Sequence, residues 1–318
     1  MAMTGFIARR LAQTVPTLLF VSAIVFAIMR ATPGDPALFM LGGQTGVTEA
    51  LLQQVRHEIG LDRPIPVQYL GWLWNSAHGD LGRSYISHAS VQSLIARRVP
   101  ASVELAIAAS VLAFLVAIPA GIFAAVHRDT WIDHLTGAFV TAGIAVPGFW
   151  LATLLVLLFA VKLRLLPPSG YVPVLGDVGA NLRLLVLPTT TLAILIAAPT
   201  MRFLRSSMLD ILGEDYLRTA RAKGVSGRGV VYGHALRNAL IPTIHWIGLQ
   251  FAYLVGGSVM VEWVFGWPGV GWLAVQSVLS RDYLVVQGTV VLVAAIFVLV
   301  NLAIDVVSAF IDPRVRYQ

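Results

Sequence analysis

Six stretches of the chain contain no Asp, Glu, Lys or Arg: Leu11–Met29, Leu105–Val126, Leu135–Val161, Leu184–Met201, Asn238–Val261 and Tyr283–Ile304. Each is 18 to 27 residues long, and about 20 apolar residues in a helix cross the roughly 30 Å of hydrocarbon in a bilayer. Lipid offers the backbone no hydrogen bonds, so a segment of this kind has to satisfy its own amides as a helix. The pattern predicts an all-α polytopic membrane protein with six transmembrane helices. Composition agrees, since 12% of residues are charged and 57% hydrophobic, against about 25% charged in a soluble domain. The absence of cysteine excludes a disulfide framework, a thiolate zinc site and iron–sulfur ligation. So hydrophobic a chain is not disordered. Its basic residues lie between the windows rather than on one polar face, which argues against nucleic acid as a partner.

Those basic residues set orientation. Arg9-Arg10 ahead of the first window resembles the start of a signal peptide, but the apolar stretch is too long and lacks a small-residue cleavage site. An uncleaved first span is expected. With six spans both termini share a side. If that side is the cytosol, segments 1–10, 127–134, 202–237 and 305–318 hold 12 Lys or Arg in 68 residues, and segments 30–104, 162–183 and 262–282 hold 10 in 118. Basic residues concentrate on the cytosolic side, so both termini are expected there. A seventh uncharged stretch, Trp263–Ser280, contains Gly266, Pro268, Gly269 and Gly271. These disfavour a straight lipid-exposed helix, and Trp263, Trp267 and Trp272 fit an interfacial or re-entrant loop instead.

Three regions follow: residues 1–30, the cytosolic N-terminus and first span; 31–100, an extracytoplasmic helical segment; and 101–318, a core of five spans. The core carries a cytosolic loop, 202–237, and an extracytoplasmic loop, 262–282. The segment 31–100 is long for a loop, and such loops usually carry structure or function. Thr48 can cap a helix with Leu51, Leu52, Val55 and Ile59 on one face and Gly60 at its end. A second short helix is expected after Pro66, with Tyr69, Leu70, Trp72, Leu73 and Trp74, and a third from Ser90, with Val91, Leu94, Ile95 and Val99. Together they suggest a small lid on the outer face.

Catalytic signatures are scarce. The two lysines, Lys162 and Lys223, follow Val161 and Ala222, so the chain has no Gly-Lys-[Ser/Thr] phosphate loop. If ATP drives this protein, another chain binds it. Gly224-Val225-Ser226-Gly227 matches the short motif of intramembrane serine proteases, but Ser226 lies between Lys223 and Arg228 in the most basic stretch. A buried nucleophile with a histidine partner is not expected there. The alternative is a glycine-flanked turn between helices. Seven histidines form no metal motif, and His57-Glu58 lacks the second histidine of a zinc helix. Neither a catalytic nor a metal site is expected. Polar residues at the span ends are costly in hydrocarbon, which singles out Glu104, Glu262, Asn301 and Asp305. They line a transport path, or they are helix-end groups satisfied by backbone or a neighbouring chain, which is the favoured reading.

The 36-residue loop 202–237 is the most informative segment, with seven Lys or Arg against three acids. Ser207 to Lys223 reads as one helix with a Glu214–Arg218 pair at i,i+4, ended by Gly224, and a second helix is expected from Arg228 to Asn238. Small residues at Ala220 and Ala222 allow another surface to approach.

Asp215-Tyr216-Leu217-Arg218-Thr219-Ala220-Arg221-Ala222-Lys223-Gly224, followed by His234-Ala235-Leu236-Arg237-Asn238-Ala239-Leu240-Ile241-Pro242, resembles the coupling loop of ABC-importer permeases in its peptide-transporter form. Ala220, Gly224 and Leu236 keep the general pattern. Arg218-Thr219 stands for Glu-Ala, His234 for Ile and Arg237 for Pro, departures typical of dipeptide and oligopeptide permeases. Arg9-Arg10-Leu11 with Pro16, Pro33-Gly34-Asp35-Pro36, Gly60-Leu61-Asp62-Arg63-Pro64, Gly79-Asp80-Leu81-Gly82, Pro147-Gly148-Phe149-Trp150, Pro268-Gly269-x-Gly271, Arg281-Asp282-Tyr283 and Asp312-Pro313-Arg314 are similar to that family's first permease subunit.

The resemblance implies a type I permease fold in a bacterial or archaeal plasma membrane. It implies a second homologous permease subunit, two ATPase subunits or one fused ATPase chain, and an extracytoplasmic substrate-binding protein. ATP and Mg would be bound by the ATPases, with no cofactor in this chain. Coupling is assigned to Arg218, Thr219, Ala220, Arg221, Ala222, Lys223, Gly224, His234, Leu236 and Asn238. Di- and oligopeptides are the expected substrates, and nickel chelates or glutathione the alternatives on the same architecture. The outer segments 30–100 and 262–282 are expected to meet the binding protein.

Overall fold

A computed structural model describes residues 2–41 and 48–311. The Asp312-Pro313-Arg314 motif and residues 42–47 lie outside the described residues. The helices are α1 (Ala2–Ala31), α2 (Pro36–Met40), α3 (Glu49–Glu58), α4 (Ile65–Ala77), α5 (Val91–Val126), α6 (Trp131–Ala145), α7 (Gly148–Leu155), α8 (Val178–Leu212), α9 (Asp215–Ala222), α10 (Leu236–Gly257), α11 (Val259–Phe265), α12 (Val270–Leu279) and α13 (Tyr283–Ile311). A π-helical stretch, Val156–Lys162, extends α7, and another, Gly229–Ala235, leads into α10. Among the described residues β structure is limited to an isolated bridge between Arg83 and Ser90.

Helices α1, α5, α8 and α13 are long and apolar enough to cross a membrane. The third uncharged window is not straight, because α6 and α7 meet at 105°; the pair is apolar enough together for a broken span or a re-entrant loop. Pro147 explains the break. A proline disfavours helical geometry in the residue before it, and Val146 is extended at φ −82°, ψ 123°. The chain then restarts as α7 with Pro147 at its N-cap. The window Asn238–Val261 falls largely in α10, whose 22 residues reach about 33 Å.

At the centre α5 lies against α8. Ala101, Leu105, Ala109, Ala113, Ala117 and Ala125 are buried at four-residue spacing, with Gly121 in the same row. Small side chains on one row let two helix backbones approach closely, which replaces the hydrophobic effect as the source of packing in lipid. At Gly121 a β-carbon would lie 3.2 Å from the Met201 carbonyl oxygen, so the approach depends on glycine.

Helix α5 has 36 residues, about 54 Å, and projects beyond the hydrocarbon. Its first turns, Val91 and Ile95, pack with Leu273 of α12 and Val285 of α13. Its last turns, Ile122 and Ala125, pack with Leu204 and Met208 of α8 and Leu217 of α9. The outer segment and the basic loop therefore occupy opposite ends of one helix. No separate short helix starts at Ser90: that residue is the N-cap of α5, which runs through Pro100 as an unbroken helix.

Two expected outer helices are present. The Thr48 hydroxyl accepts from the Leu51 amide at 3.4 Å, and the chain leaves α3 through Gly60 at φ +71°. Helix α4 begins at Ile65, one residue before Pro66, and sets Tyr69 and Trp72 against Phe26 of α1 at ring distances of 5.4 and 6.4 Å. The segment 80–90 is fastened to the start of α13, where buried Asp282 accepts from the Ser84 hydroxyl and the Tyr85 amide.

Candidate functional site

The basic loop is built on one buried leucine. Helix α8 ends at Leu212, and Gly213 and Glu214 break the helix expected to run from Ser207 to Lys223. Glu214 is the N-cap of α9 and faces solvent, so the expected Glu214–Arg218 pair is absent; Arg218 instead meets Asp215 at 3.2 Å. Leu217 is completely buried among Ile122, Met208 and Val230, while the other residues of α9 are exposed or half-buried. The short helix thus lies on the ends of α5 and α8 by a single apolar anchor. The second helix of the loop is not separate either: from Arg228 the chain winds through the π-helical stretch straight into α10, with Pro242 inside it.

This packing presents the residues expected to couple in two groups. Arg218, Thr219, Arg221, Ala222, Lys223 and Gly224 are exposed, and Ala220 is half-buried. Gly224 has φ +84° and no neighbour within 4 Å of where a β-carbon would stand, so the turn uses glycine for its backbone and not for space inside the protein. The Val225 amide donates to the Ala220 carbonyl at 3.1 Å, closing the end of α9. His234 and Asn238 are exposed and Leu236 half-buried on the second limb. Asn238 joins the limbs by donating to the Tyr216 hydroxyl at 2.8 Å. Tyr216 and Leu217 lie inside the quoted motif, yet their roles follow only from this packing.

A second brace was not legible in the sequence. The Arg205 guanidinium at the foot of α8 forms a forked pair with Asp133 near the start of α6, at 2.5 and 2.7 Å. Asp133 is buried and also accepts from the Asp129 amide at 3.1 Å. A bidentate, charge-assisted pair holds orientation as well as distance, so it fixes the last turns of α8 against the start of α6.

The polar span-end residues separate. Glu104 accepts from Asn181 at 2.6 Å and from the Tyr171 hydroxyl at 3.3 Å, tying α5 to the start of α8. Glu262 is completely buried and accepts from Ser102 and Ser258 through one oxygen and from the Trp272 amide through the other. Asp305 pairs with Arg10 at 3.2 Å, beside Asn301, in the seam between α1 and α13. A different cavity, of about 370 Å³, opens at the α6–α7 bend and is lined by Gly148, Ile196, Pro199, Gln250 and Met260. None of Glu104, Glu262, Asn301 and Asp305 lines it.

The loop Trp263–Ser280 folds as α11, a turn through Gly266 at φ +59°, and α12. Trp267 departs from the interfacial role expected for it. It is completely buried and donates from its indole nitrogen to the Ala101 carbonyl at 2.8 Å. Pro268-Gly269-x-Gly271 is explained by the same packing, since a β-carbon on Gly269 would lie 2.3 Å from the Glu262 carboxylate and one on Gly271 2.7 Å from the Val259 α-carbon.

Ser226 is exposed, and its hydroxyl accepts from the Gly229 amide at 3.2 Å, as in a helix-start turn. Among the described residues no three His, Asp or Glu side chains gather to hold a metal ion.

Residues 117–317 match the family described as the inner membrane component of binding-protein-dependent transport systems, and residues 3–106 match the N-terminal part of such membrane components. The chain belongs to this family. It is 42% identical over 316 residues to a Brucella abortus (strain 2308) protein named as a peptide transport system permease, covering 99% of this chain and all of that one. It is 41% identical over 316 residues to the glutathione transport system permease protein GsiC of Escherichia coli (strain K12), with the same coverage. Among solved structures it is similar to the inward-facing MetNI methionine ABC transporter, with TM-score 0.56 and 19% identity over 70% of this chain and 97% of that one. That likeness supports the fold. This permease is therefore a multi-pass membrane protein of the ABC-importer type, all-α throughout its described residues.

Proposed function

We propose that this permease forms half of a path for di- and oligopeptides and is driven by separate ATPase chains that grip α9. The observation that carries the reading is the loop geometry: an exposed row from Arg218 to Gly224 held to α5 and α8 by buried Leu217. A rigid handle of this kind passes a push on its outer face to the central helix pair. Alternating access needs such a link, because each state must bind its ligands differently for ATP to bias the equilibrium. With six spans and both termini in the cytosol, as the charge distribution suggests, the handle would lie on the ATP side. ATP and Mg belong to the partner chains, and this subunit makes and breaks no bonds.

The names of the relatives support a peptide substrate, glutathione being itself a tripeptide. The nickel-chelate alternative rests on shared architecture alone. A second permease supplies the other half of the path, and the cavity at the α6–α7 bend is this chain's contribution. The outer segments 30–100 and 262–282 meet a substrate-binding protein in a bacterial inner membrane. Uptake of a labelled dipeptide by cells producing the whole importer tests the substrate class. Competition by unlabelled di- and tripeptides is expected; competition by nickel chelates alone would overturn it.

A further inference from the structure

A cavity of about 500 Å³ lies between the end of α1, helix α4, the segment 80–88 and the start of α13. It is at the opposite end of the bundle from α9, and its volume falls in the range of small-molecule sites. Five of its lining residues hold a buried polar atom without a hydrogen-bond partner: Arg30 Nε, Gln68 Oε1, Trp72 Nε1, Tyr283 OH and Gln287 Oε1. Such atoms are rare in folded proteins, and each calls for an explanation, an ordered water or a bound ion among them. Tyr283 and Gln287 are 5% and 3% exposed, so bulk solvent does not serve them.

The charge at this site is mixed with a positive balance: Arg30, Arg63 and Arg83 line it against Glu58 and Asp80. Arg30 is half-buried at the end of an apolar helix, over the Phe26 ring at 5.3 Å, and forms no ion pair with a described carboxylate. An ionisable group at the end of a membrane helix calls for a partner. Arg63 and Arg83 line the same cavity and likewise form no ion pair among the described residues, against Glu58 and Asp80 on its rim. Arginine, indole and phenol are donors suited to an oxyanion, whereas the two glutamine oxygens accept from hydroxyls.

We propose that this cavity binds a glycerophosphate-type oxyanion, its phosphate at Arg30 and its hydroxyls toward Gln68 and Gln287. Two sources share that chemistry: the headgroup of an anionic phospholipid and a free glycerol phosphate. The assignment does not depend on what the path conducts.

The test uses the full chain with its copurifying partners in nanodiscs of phosphatidylcholine. Phosphatidylglycerol is added to the bilayer in one arm and glycerol phosphate to the solution in the other, and binding is followed by native mass spectrometry. One probe is expected to bind at one per chain. Arg30→Gln should weaken it about tenfold or more, as loss of a charged hydrogen bond requires, and Tyr283→Phe several-fold. Binding of the lipid alone assigns the bilayer source, and binding of the soluble probe alone the aqueous one. The proposal is overturned if neither probe binds above the phosphatidylcholine background, or if both variants bind as the parent does. Should Arg30→Gln fail to insert, Tyr283→Phe, which deletes one oxygen, carries the comparison.

Discussion

Glu262 accepts a hydrogen bond from Ser102 at 2.7 Å across 160 residues of sequence, inside the protein. Because the same carboxylate holds Ser258 and the Trp272 amide, it joins α5, α11 and α12 at one point. Glu262→Ala would leave buried donors with no acceptor, at about 3–5 kcal/mol in all. Gly269→Ala would force a β-carbon against the carboxylate. Both substitutions are expected to lower the thermal unfolding midpoint of the detergent-solubilised complex, and an unchanged midpoint in both would refute this role.

The Arg205–Asp133 pair supports a second expectation. Asp133→Asn removes a charge-assisted fork worth about 1.5–3 kcal/mol, and uptake and stability should fall together. Reversing the pair, with Asp133→Arg and Arg205→Asp, should recover part of the loss. A double-mutant cycle on the unfolding midpoint measures the coupling.

Leu217 is the anchor of α9. Leu217→Ala is expected to cost about 2–4 kcal/mol locally and to release the helix, exposing Arg218 and Arg221 to faster cleavage by trypsin. Leu217→Met, nearly equal in volume, should cost about 1 kcal/mol or less and keep the slow cleavage of the parent. Equal cleavage rates in all three proteins would contradict the anchor.

Gly224 separates backbone need from space. At φ +84° with nothing nearby, asparagine tolerates the conformation better than a β-branched residue, whose penalty is about 1–2 kcal/mol. Gly224→Val should abolish uptake with the protein still in the membrane, and Gly224→Asn should retain a measurable fraction. Ser226→Ala, by contrast, should leave uptake intact, since that hydroxyl caps a turn.

Much of this was legible because hydrocarbon enforces it. Uncharged windows have few alternatives to helices, whereas the packing row of small residues from Ala101 to Ala125 emerged only from the structure. The loop 202–237 was readable as a motif because its glycine and alanines carry backbone and steric demands. Element ends were less legible. Pro100 and Pro188 sit within long helices, where Pro147 forces a bend of 105°; tertiary packing decides which proline breaks. Glu262 and Trp267 looked like membrane-edge residues because their partners, Ser102 and Ala101, lie more than 150 positions away. Arg205 and Asp133 were hidden for the same reason, each seeming an ordinary surface charge until the helices are set side by side.

The central claim is that separate ATPases hold α9. The chain has no cysteine, so Arg221→Cys provides a unique thiol on the exposed face of that helix. Crosslinking it with a maleimide–benzophenone reagent, photoactivated in native membranes and followed by mass spectrometry of the adduct, should recover a nucleotide-binding chain, and Gly224→Val should diminish the adduct. A thiol that reacts fully with a soluble maleimide yet never crosslinks to an ATP-binding partner would contradict the account.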